Sequence, residues 1–237
     1  MLSRVPPEVM VRIKRYAYLL VLVVPAIGAW VTWRLTLGGN TLFWAWFPAL
    51  FIFGFIPILD YIIGKDPANP DEDSEVPDMT KDWYYRALTL VCVPIHLAVL
   101  VYAGWAFATV EMGLAAQIGW VISIGVVGGI MAINIGHELI HKDTTLETWT
   151  GGLALASVTY AGFKVEHIMG HHVHVSTPDD ASSSRYNQGV YAFLLQALPR
   201  NFMNAWRLEA KKLHRKGRTP WGPANELIWW YTISALF

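Results

Sequence analysis

Four long apolar runs, at residues 16–37, 42–63, 87–110 and 114–136, constrain this chain more than any other feature. About 20 mostly apolar residues suffice for a helix to cross a bilayer, and each run meets that length. Composition agrees. Charged residues make up 15% of the chain, against about 25% in an ordinary soluble domain, and the mean hydropathy is +0.35 with 12 Trp. The expected fold is therefore all-α, a polytopic transmembrane helix bundle. The first run is not a cleaved leader, because its apolar stretch is too long and no small-residue cleavage site follows it. A fifth run, 151–163, is too short to span and reads as a re-entrant segment, an interfacial segment or a helix buried against the others. The formal net charge is zero and gives no sign of a nucleic-acid partner. The single cysteine, Cys92, excludes an internal disulfide and any cysteine-based metal site.

Charge placement sets the expected topology. Arg4, Arg12, Lys14 and Arg15 precede the first run, and Lys65, Lys81 and Arg86 lie in the 64–86 loop. The turn between the first two runs has only Arg34, and the turn between the third and fourth has no Lys or Arg. Everything after the fourth run is rich in both. The positive-inside rule then puts the N-terminus, the 64–86 loop and the region from 137 onward in the cytoplasm. Residues 1–136 form four membrane helices in this reading, and 137–225 form a cytoplasm-facing region. Residues 226–237, ELIWWYTISALF, start a further membrane helix that is cut short; the other reading is an interfacial helix anchored by Trp229 and Trp230.

Six of the eight histidines fall in two short stretches, HELIHK at 137–142 and EHIMGHHVH at 166–174. His137 and His141 are four apart, which puts both on one face of a helix. His167 and His171 repeat that spacing, and His172 is rotated from His171 by about 100° on a helix. Adjacent imidazoles do not easily point at one atom, but they can reach two metals lying side by side. Five histidines in two boxes thus favour a binuclear site. His174 and His214 fall outside the pattern and read as surface residues. Glu138 and Glu166 flank box histidines and are candidates to orient a metal-bound imidazole, as is Asp60 at the end of the second run. His96 lies inside the third run, where an ionisable group is a functional candidate, here for lining a substrate channel.

Two chemistries compete for these boxes. HELIH fits the H-E-x-x-H signature of zinc metalloproteases, with Glu138 as the general base, and intramembrane proteases carry that signature on a membrane helix. It leaves His167, His171 and His172 unexplained. Imidazole suits iron equally well, and histidine boxes of this kind mark membrane desaturases and hydroxylases. The sequence resembles the bacterial membrane alkane 1-monooxygenase (alkane hydroxylase) family. That family's His-Glu-Leu-x-His-Lys box corresponds to residues 137–142, and its Glu-His-x-x-Gly-His-His box to 166–172. The segment STPDDASSSR at 176–185 resembles a third landmark, with Ala181 where the family has proline. The ILD at 58–60 and the VPIH at 93–96 add further likeness. The family's third box, Arg-His-Ser-Asp-His-His, and its Glu-His-Tyr-Gly segment are absent from these 237 residues, so the remaining ligands are expected beyond residue 237.

The resemblance implies a six-span non-haem di-iron monooxygenase that hydroxylates the terminal carbon of medium- or long-chain alkanes with O2. It implies two iron ions held in part by His137, His141, His167, His171 and His172. Relatives acting on xylene or on fatty acyl chains are the neighbouring alternative. It further implies rubredoxin, separate or fused, as electron donor, with an NADH-dependent reductase behind it, and an alkane drawn from the membrane lipid. Arg207, Lys211, Lys212, Arg215, Lys216 and Arg218 form the basic cluster expected to meet an acidic donor, and anionic lipid headgroups would select the same charges.

Overall fold

The computed structural model describes residues 7–64, 79 and 81–237. Arg4, Lys65 and the acidic stretch 66–78, expected to be a solvated loop lying over the site, fall outside the described residues. Every regular element among the described residues is helical, and four helices are long and apolar enough to cross a membrane: Arg12–Thr36, Thr41–Ile63, Trp83–Thr109 and Leu114–Ile140. The protein is an all-α polytopic membrane protein. The chain forms two compact units, Met1–Ile135 and Gly136–Phe237.

In the first unit, local chemistry marks where each helix begins. Gly38 and Gly39 take positive φ angles of 75° and 93°, a turn that side-chain-bearing residues resist. Asn40 then caps the second span by accepting the Phe43 N–H at 3.0 Å, and Asp82 caps the third by accepting that of Tyr84 at 2.9 Å. Packing between spans relies on small residues and indole donors. Trp46 lies directly against Gly119, where a Cβ would overlap the indole ring, and its Nε1 donates to the Ala115 carbonyl at 3.1 Å. Trp120 is buried and donates to the Ala103 carbonyl, also at 3.1 Å.

Ser123 has a more unusual position. Its hydroxyl donates to the Ala45 carbonyl at 2.7 Å and accepts the Ala49 N–H at 3.3 Å. These two backbone groups would otherwise pair with each other along the second span. A side chain has entered the hydrogen-bond ladder beside Pro48, which already lacks an N–H. The helix continues through a π turn at Phe51–Phe55. Leu50, Phe53, Val101 and Val121 remain exposed on this unit, as the surface of a bundle in lipid requires.

The fourth apolar helix runs past residue 136 to Ile140, so His137 lies in its last turns. It contains a π-helical stretch at Gly129–Asn134, which begins at the second glycine of the Gly128–Gly129 pair. Of its glycines, Gly125 and Gly129 face open space. Only Gly136 makes a close approach to the second unit's own chain: a Cβ there would lie 3.2 Å from the Gly151 carbonyl.

Within the second unit the fifth apolar run is split: residues 151–157 lie in the helix Thr145–Ser157, which is buried along much of one face, and 158–162 form a turn before the next helix. Its start is a reciprocal cap. The Thr144 hydroxyl accepts the Glu147 N–H and donates to the Glu147 carboxylate, which is buried. The helix Glu226–Leu236 packs on it, with Trp230 seated over Gly152. The two adjacent tryptophans thus part company: Trp230 is buried, and Trp229 is exposed and donates to the Pro223 carbonyl at 2.7 Å. The long helix Val190–Arg215 contributes Ala205 to a core with Val165 and Leu227. Glu226 joins three elements, pairing with Lys164 and, at 2.9 Å, with Lys212.

Candidate metal centre

The first box stands on helix, so the four-residue spacing works as expected. His137 and His141 project from one face, with Nε2 atoms 3.3 Å apart. Glu138 is on another face and forms an exposed ion pair with Lys142. Its carboxylate is turned to the lysine rather than to an imidazole.

The second box departs from regular helical spacing. His167–His171 is a π turn, closed by the His172 N–H on the His167 carbonyl. A π turn pairs residue i with i+5 rather than i+4. The partner of His167 is accordingly His172, with Nε2 atoms 3.0 Å apart. The i+4 residue, His171, stacks beside His167 with centroids 5.3 Å apart and turns its Nδ1 to Asp180 at 2.9 Å.

The two boxes meet at His167. Its Nε2 lies 2.8 Å from that of His137 and 3.0 Å from that of His141, and the three atoms form a compact metal-sized group. Hydrogen bonding alone does not satisfy this triangle. The Nε2 of a neutral imidazole is either a donor or an acceptor, so three mutually touching atoms must include one pair of like kind. A cation at the centre removes the conflict, because all three then present lone pairs. Nitrogens bound at about 2.1 Å to one metal lie about 3.0 Å apart at right angles and about 3.4 Å apart in a tetrahedron, close to the 2.8, 3.0 and 3.3 Å seen. Burial, and then the neighbouring His137, His172, His141 and His171 rings, push the His167 imidazole down to about 3. Burial followed by His137 and His172 also lowers His141. Both rings are therefore neutral, ligand-ready bases at neutral pH. His167 is buried, His137 half-buried, and His141 and His172 exposed, so the group is open on one side. An all-imidazole donor set of this kind suits iron.

The other expected site residues are dispersed. Glu166 is fully buried beside the centre. Burial and then the nearby Asp180 raise its carboxyl, while His171, Asn204 and Arg200 oppose the rise. It also explains the glycine of the second box, since a Cβ at Gly170 would lie 2.8 Å from Glu166 Oε1. Asp60 is exposed on the second span and His96 is buried in the third, both within the first unit. His174 is half-buried outside the cluster, and His214 is exposed among the basic residues. Arg207, Lys211, Arg215, Lys216 and Arg218 are exposed. Lys212 is not part of that surface: it is held by the buried Glu209 at 2.6 Å and by Glu226. Burial alone would lower its ammonium, but the two carboxylates hold it above the usual lysine range.

Asp180 was not singled out from the sequence. Its side chain is fully buried, and its oxygens accept from the Ser183 hydroxyl, the Ser182 N–H at 2.8 Å and His171. Burial alone would raise this carboxyl, and those three donors hold it below the usual range. The available signal was Asp followed by Ser at the second and third positions, the pattern of a side-chain-closed turn.

Known proteins share these features. The family model described as fatty acid desaturase matches residues 112–237. Alkane 1-monooxygenase 2 of Alcanivorax borkumensis is 55% identical over 100% of this chain and 62% of its own length. Alkane 1-monooxygenase 2 of Pseudomonas aeruginosa is 53% identical over 96% of the chain and 61% of its own length. The xylene/toluene monooxygenase hydroxylase component of Pseudomonas putida is 27% identical over 78% of the chain. The chain thus spans about three fifths of the length of the alkane 1-monooxygenases it matches best here. With both histidine boxes inside the matched region, the chain belongs to the fatty acid desaturase family and groups within it with the alkane 1-monooxygenases.

Proposed function

We propose that the complete protein is a membrane non-haem iron monooxygenase that hydroxylates alkanes at the terminal carbon. One observation carries the reading: imidazole nitrogens from both boxes converge at His167, at the end of an apolar helix. Bound iron would supply O2 activation and removal of a hydrogen atom from the alkane. The chain's own residues hold it: His137, His141, His167 and His172 as the converging ligands, and His171 as a ligand set apart from them. Two irons suit five histidines so divided. An alkane dissolves in the bilayer, and a site whose first ligand, His137, lies in the last turns of an apolar helix supports entry from the membrane. The N-terminus and the site face the cytoplasm of a bacterial inner membrane, by the Lys and Arg placement. Electrons come from rubredoxin and its NADH-dependent reductase, and exposed Arg207, Lys211, Arg215, Lys216 and Arg218 meet the acidic donor. Alkane is favoured over xylene as substrate by the identities, 55% against 27%. The zinc protease reading is disfavoured because Glu138 is paired with Lys142.

The test is metal analysis of the complete protein in detergent, followed by alkane-dependent O2 uptake and product identification. Iron with a terminal alcohol supports the reading. Zinc without iron, or a loaded protein that leaves alkanes untouched, overturns it.

A further inference from the structure

We propose that Asp180 is the positioning residue of the second histidine box, setting the tautomer and direction of His171. This deepens the metal-binding reading and rests on it. His171 is the box residue that the π turn takes out of pairing with His167. Its ring contacts are the stacked His167 ring and the edge of His172, neither of which distinguishes one ring nitrogen from the other. Asp180 does. Its carboxylate lies 2.9 Å from His171 Nδ1 and is fully buried. The Ser182 N–H and the Ser183 hydroxyl already donate to it, so its two oxygens are fixed in place as acceptors. An ionised carboxylate can only accept, so Nδ1 must carry the proton and Nε2 must present its lone pair. A ligating histidine whose other nitrogen is held by a carboxylate is oriented and made more basic.

A purely structural role is the alternative, because the same carboxylate closes the turn after the box. The two roles separate by measurement. Metal affinity of the complete protein would be obtained with Co2+ against a competing chelator, together with the visible Co2+ spectrum and the thermal midpoint of the metal-free protein. The variants are Asp180→Asn, His171→Ala, the double variant, and Ser183→Ala, which removes one donor and leaves the carboxylate. For Asp180→Asn a 10–100-fold loss of affinity and a shifted spectrum are expected, with an unchanged metal-free midpoint. Ser183→Ala should move affinity in the same direction by less, and Asp180→Asn should have no further effect in the His171→Ala background. The proposal is overturned by an Asp180→Asn protein that binds as wild type does. It is equally overturned by an effect that adds in full to that of His171→Ala. A wild-type protein that takes up no metal overturns the underlying reading as well, and the wild-type titration alone reports that outcome.

Discussion

His167 and His172, five positions apart, present their Nε2 atoms 3.0 Å from each other. The contact exists because the chain between them is a π turn, and π turns concentrate at functional sites. His172→Ala should therefore weaken metal binding as His137→Ala does, and His174→Ala, two positions on, should leave it unchanged. Metal content after dialysis against a weak chelator checks both, and parity between the His172 and His174 variants would contradict the geometry.

Gly170 is explained by a close approach. A Cβ there would lie 2.8 Å from Glu166 Oε1 and 3.1 Å from Leu208 Cδ1. Gly170→Ala should destabilise by about 1–3 kcal/mol, the usual range for overpacking, read as a lower unfolding midpoint in detergent. Glu166→Ala combined with it should recover part of the loss.

Ser123 bridges two backbone groups of a neighbouring span. Ser123→Ala leaves the Ala45 carbonyl and Ala49 N–H to repair their own bond beside Pro48. The expected cost is about 1 kcal/mol, in line with hydrogen bonds between membrane helices. Ser123→Gly should behave similarly, since the hydroxyl is the group that matters.

Lys212 neutralises Glu209, which is fully buried. Lys212→Ala should cost about 3 kcal/mol, because it strands a buried carboxylate. Lys211→Ala, on the exposed face, should stay within about 0.5 kcal/mol. The Lys212 ammonium is held above its ordinary range, so its contribution is complete below about pH 10 and is lost as pH rises through the folded value. Equal midpoints for the two alanine variants would contradict the pairing.

The proposed donor docking would use the exposed cations and not Lys212. Lys211→Glu with Arg215→Glu should slow rubredoxin-driven turnover and flatten its salt dependence, while metal content and unfolding midpoint stay unchanged. A rate that ignores both the charge reversal and salt would remove this surface from the electron path.

The four spans were legible in the sequence because hydrocarbon leaves a helix no alternative to satisfying its own backbone, so length and apolarity decide the element. The first box was legible for a related reason: it stands on regular helix, where a four-residue spacing has one meaning. The second box was legible in composition but not in geometry. Spacing arguments assume a single helical period, and the π turn at His167–His171 changes the period within the motif, pairing His167 with His172 and releasing His171. The partners of Glu138, Lys212 and Asp180 were not singled out from the sequence. Glu138–Lys142 and Lys212–Glu209 are pairs within one helical turn, but that these partners win over the box imidazoles and the surface, and that Glu226 reaches Lys212 and Asp180 reaches His171, depended on how the chain folds around them. The sequence by itself determined a membrane helix bundle carrying imidazoles in two boxes. Only packing determined which imidazoles share a centre and which carboxylate holds one of them, because the first depends on bringing residues 26 to 30 apart together and the second on the turn that folds residue 180 back onto the box.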